Sequence, residues 1–225
     1  MNYSVRITNY TGDEYSEKFD EHPKGDMDDK YTLEEWSRDG QLDRPNGPAF
    51  TLTNDSTGDV VVTKWFRNGK LHREGNPAFA IKGNGYFREE WFIDGGAHRV
   101  DGPAIFTASD SGIVTAEWWC ENDVPHRLDG PCRVVRCEDG LIAEEQWMVE
   151  GEHHREGGPA YIMRAGSAGV LFCERWFRSG RLHRLDGPAE TIRDGETGAI
   201  KSEKFYRDGH EVSPSRTGLA ANFVG

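Results

Sequence analysis

Glu174-Arg175-Trp176-Phe177-Arg178-Ser179-Gly180-Arg181-Leu182-His183-Arg184-Leu185-Asp186-Gly187-Pro188-Ala189 is the phrase that decides the architecture of this chain. It is one copy of a repeat. Trp36, Trp65, Trp91, Trp119, Trp147 and Trp176 anchor the copies, and Phe205 takes the same frame near the C-terminal end, so the spacings are 29, 26, 28, 28, 29 and 29 residues. The shared pattern is E-x-W-x-x-[DNS]-G-x-x-H-R-x-[DE]-G-P-A, followed by a variable stretch. His-Arg recurs as His72-Arg73, His98-Arg99, His126-Arg127, His154-Arg155 and His183-Arg184, with Asp43-Arg44 in the first copy. Glu34, Glu89, Glu117, Glu145, Glu174 and Glu203 each stand two before their anchor, and Thr63 breaks the rule. Glu17-Lys18-Phe19 reads as a degenerate start. Self-similarity at such a period is the signature of a repeat fold, in which each unit buries its apolar face against its neighbours.

Each copy reads as two strands. The first runs through the anchor, as in Arg88 to Ile93, and Asp94-Gly95 then marks a tight turn. The second follows Gly-Pro-Ala, as in Pro77 to Lys82, with Pro at the strand start where its missing N–H costs no ladder bond. The variable stretches carry hairpin signals such as Lys82-Gly83-Asn84-Gly85 and Glu138-Asp139-Gly140. The expected fold is all-β: an elongated, twisted antiparallel meander of six to seven β-hairpin repeats with about fourteen or fifteen strands. Residues 1–31 are expected as an acidic cap of strands plus the degenerate repeat, 32–208 as the repeats, and 209–225 as a C-terminal cap or tail. No helical periodicity of useful length is visible.

Composition fits a thin sheet. Leu, Ile, Val and Phe number only 43 of 225, which borders on the disordered range, yet the chain has 7 Trp, 7 Tyr and 11 Phe. Six of the Trp are repeat anchors, and much of the Gly occupies turns. Alternation puts Glu(−2) and Trp on one face, where the G-x-x-H-R-x-D-G-P segment should cover them. The other face carries Phe66, Phe92, Cys120, Met148, Phe177 and Tyr206, and reads equally as a second core, a dimer contact or a binding surface.

Several function classes are weakened. No apolar run is long enough to span a membrane, and the first residues lack the apolar run of a signal peptide. A formal charge of −12 argues against direct binding to nucleic-acid phosphates. Cys120, Cys132, Cys137 and Cys173 form no C-x-x-C pair, which points to free thiols in a reducing cytoplasm. Equivalent histidines one copy apart are separated by about 9.6 Å, two strand spacings, whereas zinc ligands must approach to about 2.1 Å. The histidines are therefore expected to pack on the tryptophans and bond loop backbone, and the arginines to pair with the glutamate ladder or with the acid of D-G. Six equivalent glutamates do not supply the distinct acid and base of a catalytic site. No catalytic residue, metal or cofactor is expected.

Departures from the repeat single out candidate partner contacts. Residues 1–43 hold 12 acidic and 5 basic residues, a net −7, and Asp26, Asp28 and Asp29 concentrate it. Trp118 doubles an anchor in the middle copy, where Cys132 replaces Ala and Val124-Pro125 alters the turn. The stripe Phe66, Phe92, Met148, Phe177 and Tyr206 is the apolar candidate.

Trp65-Phe66-Arg67-Asn68-Gly69 with Leu71-His72-Arg73, and Trp176 through Ala189, resemble MORN-type β-hairpin repeats and, more distantly, YwqK-type antitoxin-like repeats. The resemblance covers most of the chain and implies an elongated single-layer sheet used for binding. The leading expectation is a non-enzymatic binder of another protein, with a basic surface as one option: an accessory inhibitor, antitoxin-like neutraliser or regulatory protein, such as a phage would encode. The alternatives are a structural subunit that associates through sheet edges or the apolar stripe, and an acidic nucleic-acid mimic directed at a nuclease.

Overall fold

A computed structural model describes residues 2–166 and 169–213. The main sheet follows the chain: β1 (Tyr3–Thr11), β2 (Lys30–Arg38), β3 (Phe50–Asn54), β4 (Val60–Lys64), β5 (Phe79–Gly83), β6 (Tyr86–Glu90), β7 (Ile105–Ser109), β8 (Val114–Trp118), β9 (Arg133–Arg136), β10 (Ile142–Gln146), β11 (Tyr161–Ala165), β12 (Val170–Arg175), β13 (Glu190–Arg193), β14 (Ile200–Arg207) and β15 (His210–Val212). Every strand pairs antiparallel with its neighbour in sequence, which gives the expected meander as one sheet of 15 successive strands. The expected tail beyond Ser213 lies outside the described residues.

The pairing differs from expectation at the tryptophans. In the second to sixth copies the long strand stops just before Trp, and a short ribbon begins after it. Phe66–Arg67 pairs with Lys70–Leu71, and Phe177–Arg178 with Arg181–Leu182; copies three to five repeat this. The two-residue turns explain the ribbons. Asp94 and Gly95 have φ of 50° and 90°, the signature of a type I′ turn, whose twist suits a hairpin.

The one helix among the described residues, α1 (Gly12–Phe19), overturns the reading of Glu17-Lys18-Phe19 as a degenerate repeat. Its start is specified locally. Thr11 Oγ1 accepts the Glu14 N–H at 3.3 Å, and the Glu14 carboxylate accepts the Thr11 N–H at 2.8 Å. Eight residues give a helix little intrinsic stability, so packing must hold it. Tyr15 is fully buried, and Phe19 meets Phe50 edge-on at 5.5 Å between ring centres. Residues 20–29 then return across the same sheet face: Lys24 N–H donates to Lys82 O at 2.6 Å, and Gly25 and Asn84 bond each other twice.

The main core lies under this cap. Tyr15, Tyr31, Leu33, Phe50, Leu52, Val62, Phe79 and Ile81 form one buried cluster. Each large side chain so buried contributes roughly 1.5–3 kcal/mol. A smaller cluster joins Ala97, Ala104 and Cys120, with Phe92 packed against it. Past α1 the same face carries no helix among the described residues, and Trp118, Arg133, Tyr161, Arg175 and Glu190 take the register position that Lys64, Phe79 and Glu90 hold under the cap. Among the described residues no helix is long and apolar enough to cross a membrane.

Candidate functional site

The repeat motif builds a rigid edge. In all six copies the Trp N–H donates to the C=O of the residue after Pro at 2.7 Å, from Trp36 to Ala49 through Trp176 to Ala189. That residue is Ala in five copies and Cys132 in one, and it is fully buried every time. The arginine, not the histidine, covers the tryptophan, which corrects the expected packing. Arg44, Arg73, Arg99, Arg127, Arg155 and Arg184 lie 3.8–4.1 Å from the ring centres of Trp36, Trp65, Trp91, Trp119, Trp147 and Trp176. Each also donates to the carbonyl of its own loop proline, as Arg127 does to Pro131 at 3.3 Å. The glycine before Pro closes the other side. A Cβ on Gly130 would stand 2.7 Å from Arg127 Cζ, and one on Gly102 would stand 2.6 Å from Arg99 Cζ. Guanidinium is the group that suits this slot, being planar and able to stack and donate at once.

The histidines link one copy to the next. His72 Nδ1 accepts the Asp94 N–H at 3.0 Å, His126 that of Glu150 at 3.1 Å, His154 that of Ser179 at 3.2 Å and His183 that of Asp208 at 3.1 Å. Asp43, which replaces His in the first copy, performs the same task, accepting the Asn68 N–H at 2.8 Å. The middle junction departs. His98 Nδ1 is buried with no partner among the described residues, and Asp123, in place of the turn glycine, accepts the Ala97 N–H at 2.7 Å instead.

The arginine–acid expectation holds in part. Arg127 and Arg184 bond Asp129 and Asp186 of D-G at 2.9 and 3.0 Å, and Arg44 reaches Glu34 at 3.5 Å. Elsewhere the glutamate ladder finds a different arginine, on the neighbouring strand: Glu117 with Arg136, Glu145 with Arg164 and Glu174 with Arg193, at 2.7–2.9 Å. Four of the six glutamates, Glu34, Glu117, Glu145 and Glu174, are thus matched by a positive charge.

What the edge presents is set by the residues after Arg. Val100, Leu128 and Leu185 are 71%, 78% and 68% exposed. They occupy one motif position in the third, fourth and sixth copies, and each is followed by an exposed aspartate, Asp101, Asp129 or Asp186. The hydrogen bonds from Arg127 and Arg184 hold the carboxyls of Asp129 and Asp186 below the usual carboxylate range, so both stay charged. Glu74 and Glu156 fill the aliphatic position in the second and fifth copies. Between the fourth and fifth loops lies a notch of about 780 Å³, lined by Arg127, Leu128, Trp147, Val149, His154 and Arg155 among others. These aliphatics stand at a variable position of the motif, which is why the repeat pattern did not single them out.

The residues that the sequence did single out are dispersed. Asp26 and Asp28 are exposed in the loop after α1. Asp29 is tied down, accepting the Asp26 N–H and the Asn54 Nδ2–H at 3.0 Å each. Trp118 is partly exposed, with Arg133 above its ring at 5.8 Å. Phe66, Phe92, Met148, Phe177 and Tyr206 are half-buried. Phe66 packs against the main core, Phe92 against the smaller cluster, and Phe177 stacks on His153 at 4.9 Å. Burial raises the Cys120 and Cys132 thiols to about 12 and about 11, so both are neutral and inert at neutral pH. Among the described residues no three His, Cys, Asp or Glu side chains converge as a metal site.

His153 makes the stack pH-dependent. It stands where the second and sixth copies have Leu71 and Leu182, and its Nε2 is buried without a partner among the described residues. Burial, with Arg175 nearby, holds its pKa below the ordinary 6.5. The unfolded chain therefore takes up the proton first. No penalty exists above pH 6.5; it grows as the pH falls from there to the folded pKa, then levels off. Urea midpoints should show wild type losing stability relative to His153→Leu between pH 7.5 and pH 5; parallel curves would rule this out.

No family model matches this sequence, and no curated protein sequence does either.

Proposed function

We propose that the chain is a non-enzymatic repeat protein that binds another protein along its loop edge. The role that fits is an accessory inhibitor or an antitoxin-like or regulatory binder, phage-encoded or cellular, acting in the cytoplasm. One observation carries the reading: Val100, Leu128 and Leu185 stand out in solvent on loops already fixed by the Arg–Trp stack and the arginine-to-proline-carbonyl bond. An apolar tip on a rigid loop loses little conformational entropy when a partner closes over it. Copies repeat along the sheet at about 9.6 Å, so Val100 and Leu128 stand side by side and Leu185 follows beyond Glu156, a spaced row suited to a long surface rather than a pocket. Asp101, Asp129 and Asp186 beside the tips favour a partner whose apolar contacts are flanked by Lys or Arg. The likeness to MORN-type repeats supports the same class of role.

The test is capture from lysate of the producing cell on immobilised protein. One partner should be retained by wild type and lost by about tenfold or more on the Leu128→Asp/Leu185→Asp variant. Asp26→Asn/Asp28→Asn should leave capture unchanged. A partner retained equally by the leucine variant, or lost with the aspartate variant, would move the site to the capped end.

A further inference from the structure

The two edges of the sheet are built differently. The C-terminal edge ends in the three-residue β15, carrying His210 and Glu211. The N-terminal edge, β1, is nine residues long, and its ladder with β2 runs from Tyr3↔Arg38 to Thr11↔Lys30 without a register shift. Exposed edge strands are usually blunted by Pro, Lys or a bulge. β1 has none of these, and its one charge, Arg6, is already bonded to Glu35 of β2.

The direction of its free backbone groups follows from one bond. Asn2 O accepts the Asp39 N–H at 3.1 Å, so the even-numbered residues face β2. Tyr3, Val5, Ile7 and Asn9 therefore turn their N–H and C=O groups outward, and among the described residues no strand pairs with them. Thr11 agrees, since its N–H goes to Glu14 rather than to β2. Tyr3, Val5 and Ile7 also form an apolar row on one face, 44%, 45% and 65% exposed.

We propose that β1 is the interface with a second copy of this chain, the two β1 strands pairing antiparallel about a two-fold axis through Val5 and joining both sheets into one. Charge selects the register. Outward-facing residues must meet outward-facing residues, which leaves three central registers, and the one about Ile7 is set aside because it places apolar Val5 opposite the amide of Asn9. Of the remaining two, one sets Val5 opposite Ile7 and stacks Arg6 on Arg6, a like-charge pair. The other sets Val5 opposite Val5 and Tyr3 opposite Ile7, with Arg6 beside Ser4 of the second copy. A two-fold contact is self-complementary and consumes both long edges at once, so assembly stops at two copies. It is separate from the loop edge.

The test uses the full chain with a C-terminal tag, followed by sedimentation equilibrium over a wide concentration range. Wild type should show a concentration-dependent dimer. Val5→Pro should weaken it by about tenfold or more, because the N–H it removes is an outward one that β2 does not use. Val5→Lys puts like charges on the axis and should act alike, with circular dichroism checking that both variants fold. Leu128→Asp should dimerise as wild type does. In a Cys137→Ser background, Val5→Cys should cross-link on oxidation, since Cα atoms across a hydrogen-bonded pair lie about 5.5 Å apart, within disulfide reach. Ile7→Cys should not. A monomer at every concentration, a dimer indifferent to the Val5 variants, open-ended fibres, or cross-linking by Ile7→Cys in place of Val5→Cys would each overturn the proposal.

Discussion

Tyr15→Ala is expected to destabilise the first half of the sheet by about 3–5 kcal/mol, the range for removing a fully buried aromatic ring. The ring is wholly enclosed and packs on Phe19 at 4.7 Å and Tyr10 at 6.2 Å between centres. Its hydroxyl donates to Glu21 at 2.6 Å. The other Glu21 oxygen takes Lys64 Nζ at 2.6 Å, and that ammonium lies 4.6 Å from the centre of the Phe50 ring. Losing Tyr15 thus opens a cavity and frees a chain of buried charge. Burial and the neighbouring Glu21 carboxylate push the phenol pKa well up, so the hydroxyl remains a donor throughout the usual range. In a repeat stack each unit contacts only its neighbours, so the damage should stay local. Urea titration should show an early transition for the capped strands and a later one for the rest. Tyr15→Phe, which removes only the hydroxyl, should cost about 1–3 kcal/mol. A single transition at the wild-type midpoint for Tyr15→Ala would show that α1 is not the cover of the main core.

Arg127→Ala carries the second large effect, expected at about 2–4 kcal/mol. The stack on Trp119 supplies about 0.5–2 kcal/mol and the charged donor to the Pro131 carbonyl about 1.5–3 kcal/mol, and the two overlap. Arg127→Lys should recover less than half, because an ammonium cannot lie flat on the indole while reaching the carbonyl. Gly130→Ala should move stability in the same direction, since its Cβ would meet the guanidinium from the opposite side. Tryptophan fluorescence against urea reads all three. If Arg127→Lys equals wild type, the guanidinium is a solvent-side charge and the stack contributes nothing. The same variants bear on function, because Leu128 is held out in solvent by the loop that this arginine pins.

How much of this was legible in the residues follows from how local each determinant is. The meander was readable because each hairpin carries its own turn signal, and Asp-Gly or Asn-Gly suffices to place a type I′ turn. The loop covering each tryptophan was readable too, because nine residues are too many for a minimal hairpin. Which of two adjacent side chains does the covering was not. His and Arg sit in a loop without strand alternation, and only the glycine beside Arg betrays where the guanidinium lies. The helix escaped because eight residues show too little periodicity, although Thr11-Gly12-Asp13-Glu14 spells a capping box. The edge strand was hidden differently. Tyr3, Val5 and Ile7 alternate plainly, but that β1 ends the sheet depends on the whole order of pairing. The row of Val100, Leu128 and Leu185 lay in a slot that any residue can fill, so its meaning emerged only with exposure.

The His-to-turn bond also bears on how such a gene can change length. Every ordinary copy carries an acceptor on its trailing side and the matching N–H on its leading side. Deleting or duplicating one whole unit therefore rejoins an acceptor to a donor, with no compensating mutation elsewhere. The junction between His98 and Asn122-Asp123 is the exception, because Asp123 stands in place of the turn glycine and takes the Ala97 N–H, while the usual histidine, His98, has no partner at Nδ1 among the described residues. Among the described junctions, this is the one where exchanging a unit would change the pattern of bonds between copies, because Asp123 brings its own acceptor to whichever copy precedes it.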